Sequence, residues 1–242
     1  MNDRKLHSYL ISGTIGYSLW KKNKQILLIL HDNHSTESYC TKKSIWIAEL
    51  MKSLDAKEWN IYVEEPDKEV LKNLKSLWSS KHVADVRALD KDNIFQSDIR
   101  YDDAMQSITK DTINKYVELA PLSYKNELFN IRQFLYNEQY KNTSTLHSTN
   151  DLIFPECISN WRSIFPLLSH SSRLACFKDF IFEGHLLHSI ISSKKHTIIY
   201  AGSWHCRAIQ DRIPTIDGWV LVAKSQLPLG HVLEKNCIEI IF

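Results

Sequence analysis

The segment Gln25-Ile-Leu-Leu-Ile-Leu30 constrains the fold more than any other stretch of the chain. It is a nearly continuous apolar run, and such a run fits a strand buried on both faces, the condition of strands in covered, mainly parallel sheets. A strand of that kind requires other strands beside it and helices over it. Asn60-Ile-Tyr-Val-Glu64 reads as a second strand, ended by Pro66, which cannot donate to a ladder. His196-Thr-Ile-Ile-Tyr-Ala201 reads as a third. Tyr9-Leu10-Ile11 reads as an opening strand, and Trp219 to Ala223 and Cys237 to Phe242 as closing ones.

Helical patterns lie between these strands. Lys43 to Leu54 places Ile45, Ile47, Ala48, Leu50, Met51 and Leu54 on or near one face. Asp67 to Ser79, Asp102 to Leu119, Ser123 to Tyr140 and Ser171 to Ile191 carry the same periodicity, whereas Lys81 to Arg100 is ambiguous. Asn142 to Asn150, rich in Ser, Thr and Asn, reads as an exposed loop. Gly202-Ser203 reads as a turn into a short helix from Trp204 to Arg212. Strands alternating with helices favour parallel pairing. The expectation is therefore an α/β fold with a mainly parallel central sheet flanked by helices. Residues 1–242 form one domain in this reading, and 81–193 a mostly helical insertion or cap within it.

Composition narrows the function classes. Net charge is +2 with neutral histidines, so a nucleic-acid role would need a local basic patch that the global balance does not supply. The five cysteines are odd in number and include no C-x-x-C pair, which argues against a disulfide framework or a zinc knuckle and for a reducing compartment. Met1 to Leu10 is polar and charged, without a signal-peptide core, and Ile26 to Leu30 is too short to span a bilayer. The expected setting is intracellular, with a small-molecule or peptide substrate as partner, no nucleic acid and no membrane.

Three polar clusters each follow an apolar strand: His31-Asp32-Asn33-His34, Glu64-Glu65 and Ser203-Trp204-His205. In open α/β sheets ligands bind beyond the carboxyl ends of the strands, so clusters from parallel, neighbouring strands converge. Imidazole and carboxylate are ordinary ligands for zinc or manganese, and equally ordinary acid–base groups. The competing reading of the first cluster is a polar turn that caps the next helix, and of the second a solvated strand end. A strand, a Gly-Ser turn and a helix start present backbone N–H groups to an anion near His205, or the segment is a capped helix with an exposed His205 ring. In Ser97-Asp98-Ile99-Arg100-Tyr101-Asp102-Asp103, Arg100 offers a bidentate fork that Asp98 could orient, or the segment is simply a helix start. His185 and His188, at i, i+3 spacing behind Glu183, read as packing rather than as a metal pair, and a Cys206–His205 dyad is disfavoured because adjacent residues diverge.

The order of these clusters resembles the superfamily of erythromycin esterase, ChaN-like, TraB and Tiki proteins. That group carries a G-E-x-H-like motif after the first core strand, a glutamate after the next and a late G-x-x-H. Asp32 and His34 fall in the first slot, Glu64 in the second, and Gly202-Ser203-Trp204-His205 in the third. The Asp98-Ile99-Arg100 segment also resembles one in proteins of large DNA viruses with this layout. His31 stands where the family pattern has glycine, and Asp32 where it has glutamate.

The resemblance implies a hydrolase of ester or peptide bonds. In it His34 or Glu64 activates water, His205 and Arg100 stabilise the oxyanion, Asp32 lies close by, and Ser203, Glu65 and Asp98 line the substrate site. A divalent metal, manganese or zinc, held by His34, Glu64 and His205, is the cofactor it implies. The departures at His31 and Asp32 keep two alternatives in play. One is a non-enzymatic viral structural or host-interaction protein on a decayed hydrolase fold. The other is a metal or small-anion binding module.

Overall fold

The computed structural model describes residues 8–32, 43–64, 85, 86, 89, 91–137, 158–226 and 238–241. Its elements are β1 (Ser8–Ser12), β2 (Gly16–Lys22), β3 (Gln25–Asp32), β4 (Ile45–Trp46), α1 (Ile47–Ser53), β5 (Trp59–Val63) and β6 (Ile94–Gln96). They continue with α2 (Lys110–Val117), α3 (Leu122–Leu135), α4 (Trp161–Ile164), α5 (His170–Ser192), β7 (His196–Gly202), α6 (Ser203–Arg212), β8 (Val220–Gln226) and β9 (Ile238–Ile241). The fold is α/β. No helix among the described residues is long and apolar enough to cross a membrane.

The described residues divide into two compact units: residues 1–96, 193–206 and 217–242 in the first, and 97–192 with 207–216 in the second. The first unit holds a six-stranded sheet in the order β6-β5-β7-β3-β2-β8. Its β6, β5, β7 and β3 run parallel, and β2 is antiparallel to both β3 and β8. A smaller sheet in the order β4-β1-β9 joins a parallel to an antiparallel pair.

Every residue from Leu27 to Asp32 is buried, the burial on both faces that the apolar run requires. One face of the large sheet contributes Leu28, Leu30, Ile61, Val63, Ile198 and Tyr200 to a core that includes Ile47, Leu50 and Met51 of α1. Alternation along each strand therefore assigns His31, Ala201 and Glu64 to the other face. His31 is the register partner of Ala201, and the Glu64 N–H donates to the Tyr200 carbonyl at 2.9 Å, so the three positions lie side by side across three neighbouring strands.

Three strands are absent from the sequence reading: β2, β6 and the two-residue β4. β2 forms a hairpin with β3, closed at Lys22↔Gln25 by Asn23, whose φ of 53° is a left-handed conformation that asparagine tolerates. Its pattern is blurred because Trp20, a buried residue on the opposite parity to Tyr17 and Leu19, donates its ring N–H to the Ser18 hydroxyl at 2.8 Å. β6 is only three residues long and lies in the ambiguous stretch. The helix from Lys43 starts later than its periodicity indicates, because Ile45-Trp46 pairs with β1 first. The Asp67–Ser79 helix and the Asn142–Asn150 loop fall outside the described residues.

In the second unit the expected helix from Asp102 to Leu119 is broken into a short 3-10 turn at Asp103–Met105 followed by α2, and another 3-10 turn at Ile99–Tyr101 precedes it. A reciprocal cap sets the break. The Thr109 hydroxyl accepts from the Thr112 N–H at 3.0 Å, and the Thr112 hydroxyl accepts from the Thr109 N–H at 3.2 Å. Gly184 of α5 allows close approach to its neighbours: a Cβ there would meet Val117 Cγ1 at 2.6 Å and Tyr124 Cε1 at 3.0 Å. Alanine for glycine inside a helix ordinarily stabilises by about 0.5–1 kcal/mol. Here the overlap reverses the sign, and Gly184→Ala should lose about 1–3 kcal/mol in denaturant unfolding. A variant as stable as the parent would show that this packing is loose.

Candidate functional site

The carboxyl edge of β5, β7 and β3 carries the site. Asp32 ends β3 opposite Gly202, which ends β7, and Glu64 follows β5 directly. At this edge β5 leaves the ladder, and the next β7 donor, the Gly202 N–H, needs an acceptor. The Glu64 side chain supplies it: Oε2 accepts from Gly202 N at 2.5 Å. Its other oxygen, Oε1, lies 3.3 Å from His205 Nε2. Glu64 is 7 % exposed, so this carboxylate is withdrawn from water and held by donors at the amino end of α6, where the helix dipole favours negative charge.

A second pair lies beside the first. His31 Nδ1 is 3.3 Å from Ser203 Oγ, and His31 is 1 % exposed. The Thr14 hydroxyl donates to the His31 carbonyl at 2.8 Å, and the Ile15 N–H donates to the same carbonyl at 2.9 Å. The start of α6 is fixed to the sheet one turn later. The Cys206 thiol lies 3.4 Å from the Leu30 carbonyl and 3.2 Å from the Ala201 carbonyl, to which it donates. Burial, with smaller contributions from Glu64 and Asp32, pushes this thiol well above its ordinary pKa, so Cys206 is a packing residue and not a nucleophile.

Among the candidates read from sequence, Glu64, His205 and Ser203 therefore lie at one strand edge of the first unit, Glu64 with His205 and Ser203 with His31. Asp32 is buried at the same strand edge, and alternation puts it on the face of Leu28 and Leu30, opposite His31. His34 and Glu65 lie outside the described residues. Arg100 and Asp98 lie in the second unit and form a bidentate pair, Nε–Oδ1 2.7 Å and Nη2–Oδ2 2.7 Å. Arg100 also reaches Asp179 at 2.6 Å and stands 4.8 Å over the Phe182 ring, so two carboxylates and an aromatic face engage its fork. His31 is the residue that the motif reading passed over, although its shared parity with Leu27 and Ile29 was available in the sequence.

Among the described residues no three His, Cys, Asp or Glu side chains gather as metal ligands would. Of the expected set, Glu64 and His205 meet each other directly. His34, the third residue of that set, lies outside the described residues.

His185 and His188 of α5 pack in the second unit, their ring centroids 6.4 Å apart. His185 Nδ1 donates to the Tyr116 carbonyl at 3.4 Å, and the Leu119 N–H donates to His188 Nδ1 at 3.1 Å. Comparison of the chain with models of known families, with curated proteins and with solved structures finds no match in any of the three.

Glu64→Ala should destabilise the protein by about 1–3 kcal/mol in denaturant unfolding, because it strips the buried Gly202 N–H of its acceptor. An unchanged midpoint would remove the carboxylate from any structural role. Burial holds the His185 pKa below its ordinary 6.5, partly offset by the Tyr116 carbonyl. The unfolded chain then binds the proton more tightly than the folded one, so this contribution to stability is complete above about pH 6.5 and declines as pH falls below it. His185→Gln should flatten that decline, measured as the difference between variant and parent melting curves from pH 7.5 to 5.

Proposed function

We propose that the protein is a hydrolase of ester or peptide bonds, with Glu64 and His205 as its acid–base pair. The observation that carries this reading is the 3.3 Å approach of His205 Nε2 to Glu64 Oε1 just beyond the ends of parallel strands. A buried carboxylate facing one imidazole nitrogen fixes the ring and stabilises its protonated form, so the other nitrogen, Nδ1, is the one that exchanges a proton with water or a leaving group. Backbone N–H groups in the first turn of α6 lack intrahelical acceptors and suit a developing oxyanion. Arg100 is given no step, since Asp98 and Asp179 already hold its donors.

The depth of burial favours a second reading. Glu64 caps the end of the β5–β7 ladder, and with His31 and Ser203 it forms a polar lock inside a non-enzymatic binding protein. A panel of esters, peptides and phosphoesters separates the two, assayed with and without manganese or zinc. The hydrolase reading expects turnover of an ester or peptide, reduced about 10²–10⁴-fold by His205→Ala. A folded parent protein that turns over nothing under any metal condition leaves the second reading standing.

A further inference from the structure

We propose that Ser203 is a nucleophile and His31 its base, so that hydrolysis of an acyl ester proceeds through an acyl-Ser203 intermediate. This rests on the hydrolase reading but assigns different residues to the bond-making step. The Nδ1 to Oγ separation of 3.3 Å is the geometry of a nucleophile and its base before substrate tightens it. Both residues stand on fixed elements. His31 lies within β3, in register with Ala201 of β7, and Ser203 opens α6 immediately after β7. The Cys206 thiol ties that helix to the carbonyls of both strands, which holds the Ser203 hydroxyl in place against the ring.

The burial of His31 needs an explanation of its own. It occupies a strand position whose alternate neighbours, Leu27 and Ile29, are wholly apolar and wholly buried. An imidazole in such a place costs free energy unless its polar atoms are engaged, and Ser203 is a partner that engages one of them. The small Ala201 side chain separates the His31–Ser203 pair from the Glu64–His205 pair, so the two pairs flank one point on the sheet edge.

The reaction balances with these groups and water alone. His31 Nδ1 takes the proton of Oγ as Oγ bonds to the acyl carbon, and the carbonyl electron pair moves onto oxygen beside the N–H groups of the first turn of α6. Collapse of that intermediate breaks the bond to the alkoxide, which leaves with the proton from His205 Nδ1. Water then adds to the acyl carbon and returns a proton to His205. The carboxylic acid departs as the Ser203 oxygen regains its proton from His31.

The test treats the full chain with a fluorophosphonate probe and maps the adduct by mass spectrometry. A single adduct on Ser203 is expected, absent in Ser203→Ala and at least tenfold slower in His31→Ala. His31→Gln keeps a hydrogen-bonding side chain and replaces His31→Ala if that variant fails to fold. No adduct on the folded parent, an adduct on another residue, or undiminished labelling without His31 overturns the assignment. Turnover that survives in Ser203→Ala also overturns it while leaving the hydrolase reading intact. Labelling of Ser203 in a protein that hydrolyses nothing in the substrate panel removes the hydrolase reading instead.

Discussion

The hydrogen bond from the Gly202 N–H to the Glu64 carboxylate is the constraint on which the rest of the site depends. A parallel ladder that ends beside a diverging strand leaves a donor with nothing to accept it, and an unpaired buried N–H costs as much as a lost hydrogen bond. Glu64 resolves this with a side-chain oxygen in place of a backbone one. Doing so orients the second oxygen toward His205 and brings negative charge to the start of α6. Two contacts are coupled here: the group that closes the sheet is the group that meets the imidazole. Changing it disturbs both, which is why the two effects must be measured separately.

Much of this edge was legible in the sequence because the physical signals there are short-range. An apolar run followed at once by a polar cluster marks a buried strand and its end. That signal located β3, β5 and β7 and put Glu64, Ser203 and His205 at their ends. What escaped depended on pairings distant in sequence. Asp179, the second carboxylate on Arg100, lies 79 residues away from it, and no local pattern connects the two. His31 escaped for a different reason. The motif drew attention to the last histidine of the cluster, whereas strand parity singles out the first. β2 was hidden because its two faces are both largely buried, which removes the alternation that reveals a half-exposed strand.

The second unit shows how similar residue types produce packing instead of a site. His185, His188, Tyr116, Tyr124 and Glu183 place several titratable groups within one cluster of helices. Their polar atoms meet backbone or each other: the Tyr124 hydroxyl donates to the Phe180 carbonyl at 2.7 Å, and the Tyr116 hydroxyl to Asp102 at 2.5 Å. Burial and the Asp102 carboxylate raise the Tyr116 hydroxyl far above its usual range, which keeps it neutral and donating. What separates the first unit's edge from this cluster is that its imidazoles and carboxylate lie at the carboxyl ends of parallel strands.

The central position of β7 also shapes how the chain reaches this state. β3 and β5 are not neighbours, and each pairs with β7, whose residues lie about 170 and 137 positions further along in the registers Leu27↔Thr197 and Asn60↔Thr197. During synthesis both strands leave the ribosome long before the strand that joins them. Until then each presents an open edge of backbone donors and acceptors, the kind that templates pairing with other chains. Contacts that span so many residues form slowly, because loop closure costs entropy before the pairing repays it. Until residue 202 is available, pairing of those two edges with other chains competes with their pairing to β7.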